Sequence, residues 1–413
     1  MLTPESAGRK INLVGAGPVG SLLAIYLARR GFQVEMFEGR PDMRRENISA
    51  GRSINLAVST RGLHALAEIG LEAEVLKQAV QMPGRMIHAL DGTLTFQPYG
   101  MNDSQCINSI SRGGLNKTLM TRAEETGKVK IHFSSKIDGL ELFAENEVVI
   151  GTDGSASAVR AELLKYPGFA SSREVLDYGY KELIMPPAPG GGFSIEKNAL
   201  HIWPRGTFML IALPNFDGSF TCTLFLPFKG VNSFERLVSP IAVQDFFEAN
   251  FRDALPLIPD LEEDFFTNPT GQMVTVKCAP WNLGGRALLM GDAAHAIVPF
   301  FGQGMNCGFE DCSVLNGQID RHDTWASLFG EVTRLRKSNA DAIADMAVEN
   351  FIEMRDKVGN QQFLLEKNVE KLLQTRFAGE YVSRYSLVTF SRVPYRLAYD
   401  AGVIQAEILG ELC

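Results

Sequence analysis

The sequence holds no uninterrupted apolar run of the ~18 residues that a membrane-spanning helix needs. The first nine residues lack the apolar core of a secretory signal. Cysteine is sparse: the six, at 106, 222, 278, 307, 312 and 413, form no CxxC pair and no dense framework. That argues against both a structural zinc site and a disulfide-stapled secreted scaffold. Reduced thiols in a soluble, cytoplasmic chain are the expectation. Positive charge is also short, with 40 Lys and Arg against 48 Asp and Glu and a net charge of −8. Phosphate binding needs a basic surface, so nucleic acid is not the expected main partner. Repeats, low-complexity tracts and long charge blocks are absent. None of the six histidines stands as a base or a ligand, so neither a catalytic histidine nor a metal is expected. What remains is 45% apolar and 21% charged, the balance of a globular enzyme. At 413 residues the chain exceeds one ordinary core and suits one large or two interleaved domains.

Periodicity supplies the organisation. Residues 11–14 read as a buried strand running into glycines, and Pro18 to Arg30 as a helix buried on most sides. Gly31 ends that helix, and Phe32 to Phe37 form a second strand, so the chain opens as a βαβ unit. Residues 60–80 and 112–127 read as helical. Segments 199–203, 207–213 and 219–226 are rich in β-branched and aromatic residues and separated by Pro, Asn and Gly, the pattern of antiparallel strands. From 286 a strand, a glycine loop and a helix return. The expected fold is α/β: a Rossmann-like first part over 1–179 and a sheet-rich insertion over 180–280. A closing part of the first domain follows over 281–323, then a helical region over 324–413.

Gly15-Ala16-Gly17-Pro18-Val19-Gly20 is a GxGxxG between a strand and a helix, and Glu38 ends the next strand. Gly15 permits the tight turn, Gly17 lets backbone approach a pyrophosphate, and Gly20 lets helix pack on strand. The helix N-terminus favours phosphate charge, and an acid about 20 residues on binds a ribose hydroxyl pair. A chance glycine turn is the bland alternative, and strand, helix and terminal acid together weigh against it. The motif does not decide FAD against NAD. Further on, Leu288 to His295 ends a strand on Gly291-Asp292, followed by Gly302-Gln303-Gly304-Met305-Asn306 leading a helix. Asp292 can accept hydrogen bonds from a polyol, and the helix N-terminus favours the charge of a reduced flavin. His295 shapes that turn. Ile150 to Ser155 carries Asp153-Gly154, which taken alone reads as a surface turn.

GxGxxG, DG and GD in this order resemble the FAD-dependent aromatic hydroxylases, a family of flavoprotein monooxygenases. By that resemblance Gly15, Gly17, Gly20, Glu38 and Arg40 hold the ADP half of a non-covalent FAD. Arg112 and Asp292 hold its phosphate and ribityl part, Ala57 belongs to the same cofactor site, and Gly302, Gly304, Met305 and Asn306 contact the flavin ring. Asp153 sits near both FAD and NADPH.

Further segments resemble the branch of that family that hydroxylates kynurenine. They are Gly51 to Ala57, Gly84-Arg85-Met86, Gln97 to Gly100, Leu200 to Pro204, Pro299 to Asn306 and Tyr385 to Arg392. The resemblance implies that Arg85 and Tyr99 bind an amino-acid carboxylate. A guanidinium grips a carboxylate bidentately and a phenol adds a third bond. Asn360 and Tyr395 are matched to the remaining polar contacts, and Phe225, Phe300, Phe301 and Met354 to the walls around an aromatic ring. The implied reaction is NADPH- and O2-dependent hydroxylation of L-kynurenine to 3-hydroxykynurenine through a flavin hydroperoxide. The alternatives are a hydroxylase of another aromatic acid and a non-catalytic flavin-binding interaction protein. Two departures stand out. The stretch between Leu142 and Val149 is shorter than a strand pair usual there would need, and no C-terminal membrane segment follows, as it does in eukaryotic members. The implied location is cytoplasmic, or the cytosolic face of the mitochondrial outer membrane for a shortened eukaryotic form.

Overall fold

The computed structural model describes residues 2, 10–45, 55–102, 104–354 and 361–413. Its first layer is a six-stranded sheet in the spatial order Asn282–Leu283, Ala287–Leu289, Val148–Gly151, Ile11–Val14, Val34–Phe37 and Val129–His132. All pairings are parallel except the first. Ile11–Val14 and Val148–Gly151 are buried throughout, as central parallel strands covered on both faces must be. Helices Pro18–Arg29 and Arg112–Glu125 pack together beside this sheet. The opening βαβ unit thus forms where the hydrophobic pattern puts it.

A second, seven-stranded sheet runs in the order Gly271–Ala279, Ala170–Met185, Phe220–Pro227, Met209–Pro214, Leu200–Pro204, Gly84–His88 and Leu94–Pro98. It is antiparallel except where Leu200–Pro204 pairs with Gly84–His88. The sheet expected over 180–280 therefore starts at Ala170 and borrows a hairpin from residues 84–98. No local pattern reveals that borrowing, because the partner strand lies more than 100 residues away. Side-chain alternation splits the sheet's two faces. Leu210, Ala212, Leu224, Leu226 and Trp203 join Phe246, Phe247 and Phe251 in a separate core. That core is closed by helices Pro240–Asn250 and Leu261–Thr267, which lie inside the stretch read as sheet-rich. The intervening residues Leu200, Ile202, Ile211, Leu213 and Phe225 face a large cavity.

The helix expected over 60–80 is broken into Thr60–Glu68 and Glu72–Leu76, with a strand at Val80–Met82. Gly70 adopts φ +70°, and the Leu71 N–H returns to the Leu66 carbonyl, a glycine C-terminal cap that stops the first helix. Between the single turn Leu140–Leu142 and strand Val148–Gly151 there is no strand pair. From Trp325 on the described residues are mostly helical, led by Trp325–Ile352 and ending with Tyr395–Leu412. No helix among the described residues is long and apolar enough to cross a membrane.

Candidate active site

One cavity of about 760 Å³ runs between the two large sheets and reaches both the glycine loop and the Arg85 hairpin. At its first end, helix Pro18–Arg29 starts at Gly17 with no side-chain cap and no acid in its first turn. Its orphan N–H groups are left for an anion. A Cβ on Gly15 would sit 2.6 Å from the Thr152 carbonyl oxygen, and one on Gly20 would sit 2.2 Å from that of Gly15. Those two glycines close the strand–helix turn, whereas a Cβ on Gly17 meets no protein atom within 4 Å. Space at Gly17 belongs to the cavity. Gly20 is absent from the lining and acts through packing.

Glu38 lies beside this loop, accepting hydrogen bonds from the Ala16 N–H at 3.1 Å and from Arg40 Nε at 2.8 Å. Burial pushes the Glu38 carboxyl up, but the Arg40 and Ala16 donors outweigh it and hold it below the usual carboxylate range. It therefore stays an anion able to accept from hydroxyls. Arg40 and the exposed Arg112 line the same end. Asp153 lines it too, yet its carboxylate is already engaged by Ser157 Oγ at 2.6 Å and the Ala158 N–H at 2.7 Å. It accepts from the first two N–H groups of helix Ala158–Leu163, whose cap is Ser157, while facing the cavity. Asp292 has no hydrogen-bond partner among the described residues and also faces the cavity, where a polyol could engage it.

The middle of the cavity is formed by Ala57 and by Gly302, Gly304 and Met305 at the uncapped start of helix Gly304–Gln318. Asn306, expected against a flavin ring, is not at the cavity. Its Nδ2 donates to the Ala57 and Gly302 carbonyls, both at 2.8 Å, and its Oδ1 accepts the Ser59 N–H at 3.0 Å. With its amide used up, it locks the 302–306 loop to residues 57–59.

At the far end Arg85, Tyr99, Phe300, Phe301, Phe225 and Met354 line the cavity together. Tyr395, expected there, does not. It is fully buried, its ring lies 3.9 Å from the Arg61 guanidinium carbon, and its hydroxyl donates to Gln303 Oε1 at 2.8 Å. The chain turns at 391–394 before helix Tyr395–Leu412, and that turn puts residue 395 behind the loop. Asn360 lies outside the described residues, as do Gly51 to Ile54.

Two polar residues that the sequence reading missed line this end. Tyr385 stacks on Tyr99 with centroids 5.3 Å apart, and Asn350 Nδ2 donates to the Phe300 carbonyl at 2.7 Å. Tyr385 opens a segment already singled out by resemblance. Asn350 had a subtler signal, being one polar residue in the apolar helical stripe of Ile343, Met346, Ala347 and Met354. Burial, with Tyr385 next to it, pushes the Tyr99 hydroxyl well above its ordinary value against the opposing pull of Arg85. Burial does the same for Tyr385. Both remain hydrogen-bond donors.

Behind the loop runs a buried ion network. Asp311 accepts from the Gly291 N–H at 3.1 Å, from His295 Nε2 at 2.6 Å and from Arg336 Nε at 2.7 Å. Glu310 bridges Arg336 to Arg61. Burial would lower His295, but Asp311 and Cys307 hold it well above the normal imidazole range. Held by Asp311, which also accepts from the Gly291 N–H, it braces the Gly291-Asp292 turn. His295, Cys307 and Asp311 come within 4.8 Å of one another, but Arg336 donates to both Asp311 and Cys307, so the cation already in that space is the guanidinium. Tyr395→Phe should leave Gln303 Oε1 buried without its donor and lower unfolding stability by about 1–3 kcal/mol in chemical denaturation.

A family model for an FAD binding domain matches residues 10–164 and 257–322. Kynurenine 3-monooxygenase of Myxococcus xanthus is 59% identical over 99% of this chain and 91% of its own length. The enzyme of the same name from Xanthomonas oryzae pv. oryzae is 46% identical over 98% and 92%. The chain belongs to the kynurenine 3-monooxygenase family. Among solved structures, 2-methyl-3-hydroxypyridine-5-carboxylic acid oxygenase superposes with a TM-score of 0.69 at 20% identity, covering 87% of this chain and 95% of that one. A p-nitrophenol 4-monooxygenase from Pseudomonas putida gives 0.66 at 16% identity, covering 98% of each. These two share the fold. As a member of this family the chain is an FAD-dependent monooxygenase, and the residues at the first end fit the cofactor. The open space at Gly17, the uncapped helix and the anionic Glu38 answer to a pyrophosphate and a ribose.

Proposed function

We propose that the chain hydroxylates L-kynurenine: L-kynurenine, NADPH, H⁺ and O2 give 3-hydroxykynurenine, NADP⁺ and water. The observation that carries this is one continuous cavity with a nucleotide cradle at one end and an arginine–phenol clamp at the other. Bound FAD supplies hydride acceptance from NADPH and the activation of oxygen. The protein's own part is orientation and exclusion of water. Arg85 takes the amino-acid carboxylate through its guanidinium, and Tyr99 adds a phenolic donor. Asn350 and Tyr385 add to the polar end, where Tyr395 does not reach. Phe225, Phe300, Phe301 and Met354 enclose the aromatic ring. The aniline-type amino nitrogen of the substrate already activates the neighbouring ring carbon, so no strong base is needed. The relatives named are bacterial, which supports a cytoplasmic setting and lends nothing to a mitochondrial one.

NADPH consumption with and without L-kynurenine, with the product identified by mass, tests this reading. Stimulated consumption and a product heavier by one oxygen atom are expected. Stimulation by a benzoate or salicylate alone would favour another aromatic acid, and bound FAD with no stimulation would favour a binding protein.

Substrate is further expected to gate flavin reduction. Tyr99 stacks on Tyr385, Tyr385 on Phe301 at 5.6 Å, and Phe301 precedes Gly302 of the ring loop. The clamp and the loop therefore share a wall, and a ligand shifts them by its preference for the reducible state. Anaerobic bleaching by NADPH should speed up roughly tenfold with kynurenine, which needs a preference of only about 1.4 kcal/mol. Carboxylate analogues that cannot be hydroxylated should also speed it, with peroxide as the product. Equal bleaching rates would remove the gating.

A further inference from the structure

Arg85 and Gln97 are directly opposed in the hairpin of Gly84–His88 and Leu94–Pro98, so their side chains leave the same face. Arg85 Nε donates to Gln97 Oε1 at 3.0 Å. The two Nη groups of Arg85 have no hydrogen bond or ion pair among the described residues, although the side chain lines the cavity. Gln97 itself is not part of the cavity wall and reaches it only through Arg85.

A guanidinium can grip a carboxylate in two ways. Side-on, it uses Nε and one Nη; end-on, it uses the two Nη groups. With Nε held by Gln97, only the end-on edge is left for a ligand. The bond also confines a long side chain that would otherwise sample many rotamers. The acceptor is a neutral amide, so the positive charge of Arg85 stays available, whereas a carboxylate at position 97 would neutralise it.

We propose that Gln97 is a positioning residue that fixes the Arg85 guanidinium to receive the substrate carboxylate end-on. This rests on the kynurenine reading of the cavity given above. Tyr99, two residues further along the same edge, then meets a carboxylate whose plane and approach are already set.

A double-mutant cycle on the FAD-loaded enzyme tests the assignment. Gln97→Leu should raise the kynurenine KM by about 5- to 30-fold, with kcat at saturation little changed, as expected when binding shared by ground and transition states is lost. In the Arg85→Lys background the same change should move KM less than about twofold, because an ammonium has no Nε–H for Gln97 to hold. Gln97→Glu, which keeps the acceptor but supplies a competing negative charge, should raise KM beyond the leucine variant. Melting temperature and FAD content serve as controls and should stay at the parent values. An unchanged KM in Gln97→Leu overturns the proposal. So does an equal rise in both backgrounds, which would mark Gln97 as a support of the hairpin alone. If Arg85→Lys by itself leaves KM unmoved, the carboxylate clamp is what fails, and the positioning role falls with it.

Discussion

Gly17→Val is expected to give a folded protein that has lost most of its FAD and, in the same proportion, its hydroxylation. Gly17 has φ −71° and ψ 178°, an extended conformation that any residue adopts, and a Cβ there touches no protein atom within 4 Å. The fold should tolerate the valine. The bound pyrophosphate would not, because the branched side chain fills the space through which backbone N–H groups reach it. Gly15 and Gly20 could not make this separation. Gly15 lies at φ +101°, and a Cβ on either would press on backbone oxygen, so their variants would mix misfolding with cofactor loss. The measurement is the flavin-to-protein absorbance ratio of purified variant and parent, beside their circular dichroism. Full flavin content in Gly17→Val would mean that the cofactor does not lie along this loop.

The second large effect is expected from Arg85→Ala: a kynurenine KM raised by about 10- to 150-fold, the equivalent of losing a charge-assisted pair worth roughly 1.5–3 kcal/mol. FAD content should hardly change, since Arg85 stands at the end of the cavity away from the glycine loop and its side chain bonds to Gln97. Lysine should recover only part of the loss, because an ammonium lacks the planar fork. Steady-state kinetics at fixed NADPH with varied kynurenine reads this directly, and an unaltered KM would take Arg85 out of the site. The two variants form a contrast, one emptying the cofactor end and the other the substrate end of the same cavity.

The nucleotide end was legible because each of its parts is local. A strand, three glycines, a helix start and an acid lie within 28 residues, from Ile11 to Glu38, and the chain closes them on itself through one βαβ unit. The Gly291-Asp292 turn and the 302–306 loop are similarly short-range. Even here, local reading could not separate residues that face the ligand from those that hold the loop. Asn306 and Gly20 carry the pattern of the site and yet work from behind it.

The substrate end depends on contacts between segments far apart in sequence, and there local pattern was insufficient. Arg85 and Tyr99 come from a hairpin taken into the second sheet by strand Leu200–Pro204, Asn350 from the last turn of a 28-residue helix, and Tyr385 from a short helix beyond it. Resemblance selected Tyr395, which does not line the cavity. Only packing showed that Tyr385 stacks on Tyr99 while Tyr395 sits under Arg61. The sequence by itself determined the fold class and the glycine turn of the nucleotide end, because those follow from spacing along one βαβ unit, whereas Arg85 and Tyr99 were singled out by resemblance alone. The tertiary structure decided which polar residues share the cavity with them. A side chain's neighbours across a sheet or between helices are set by register and crossing geometry, and no local periodicity encodes those.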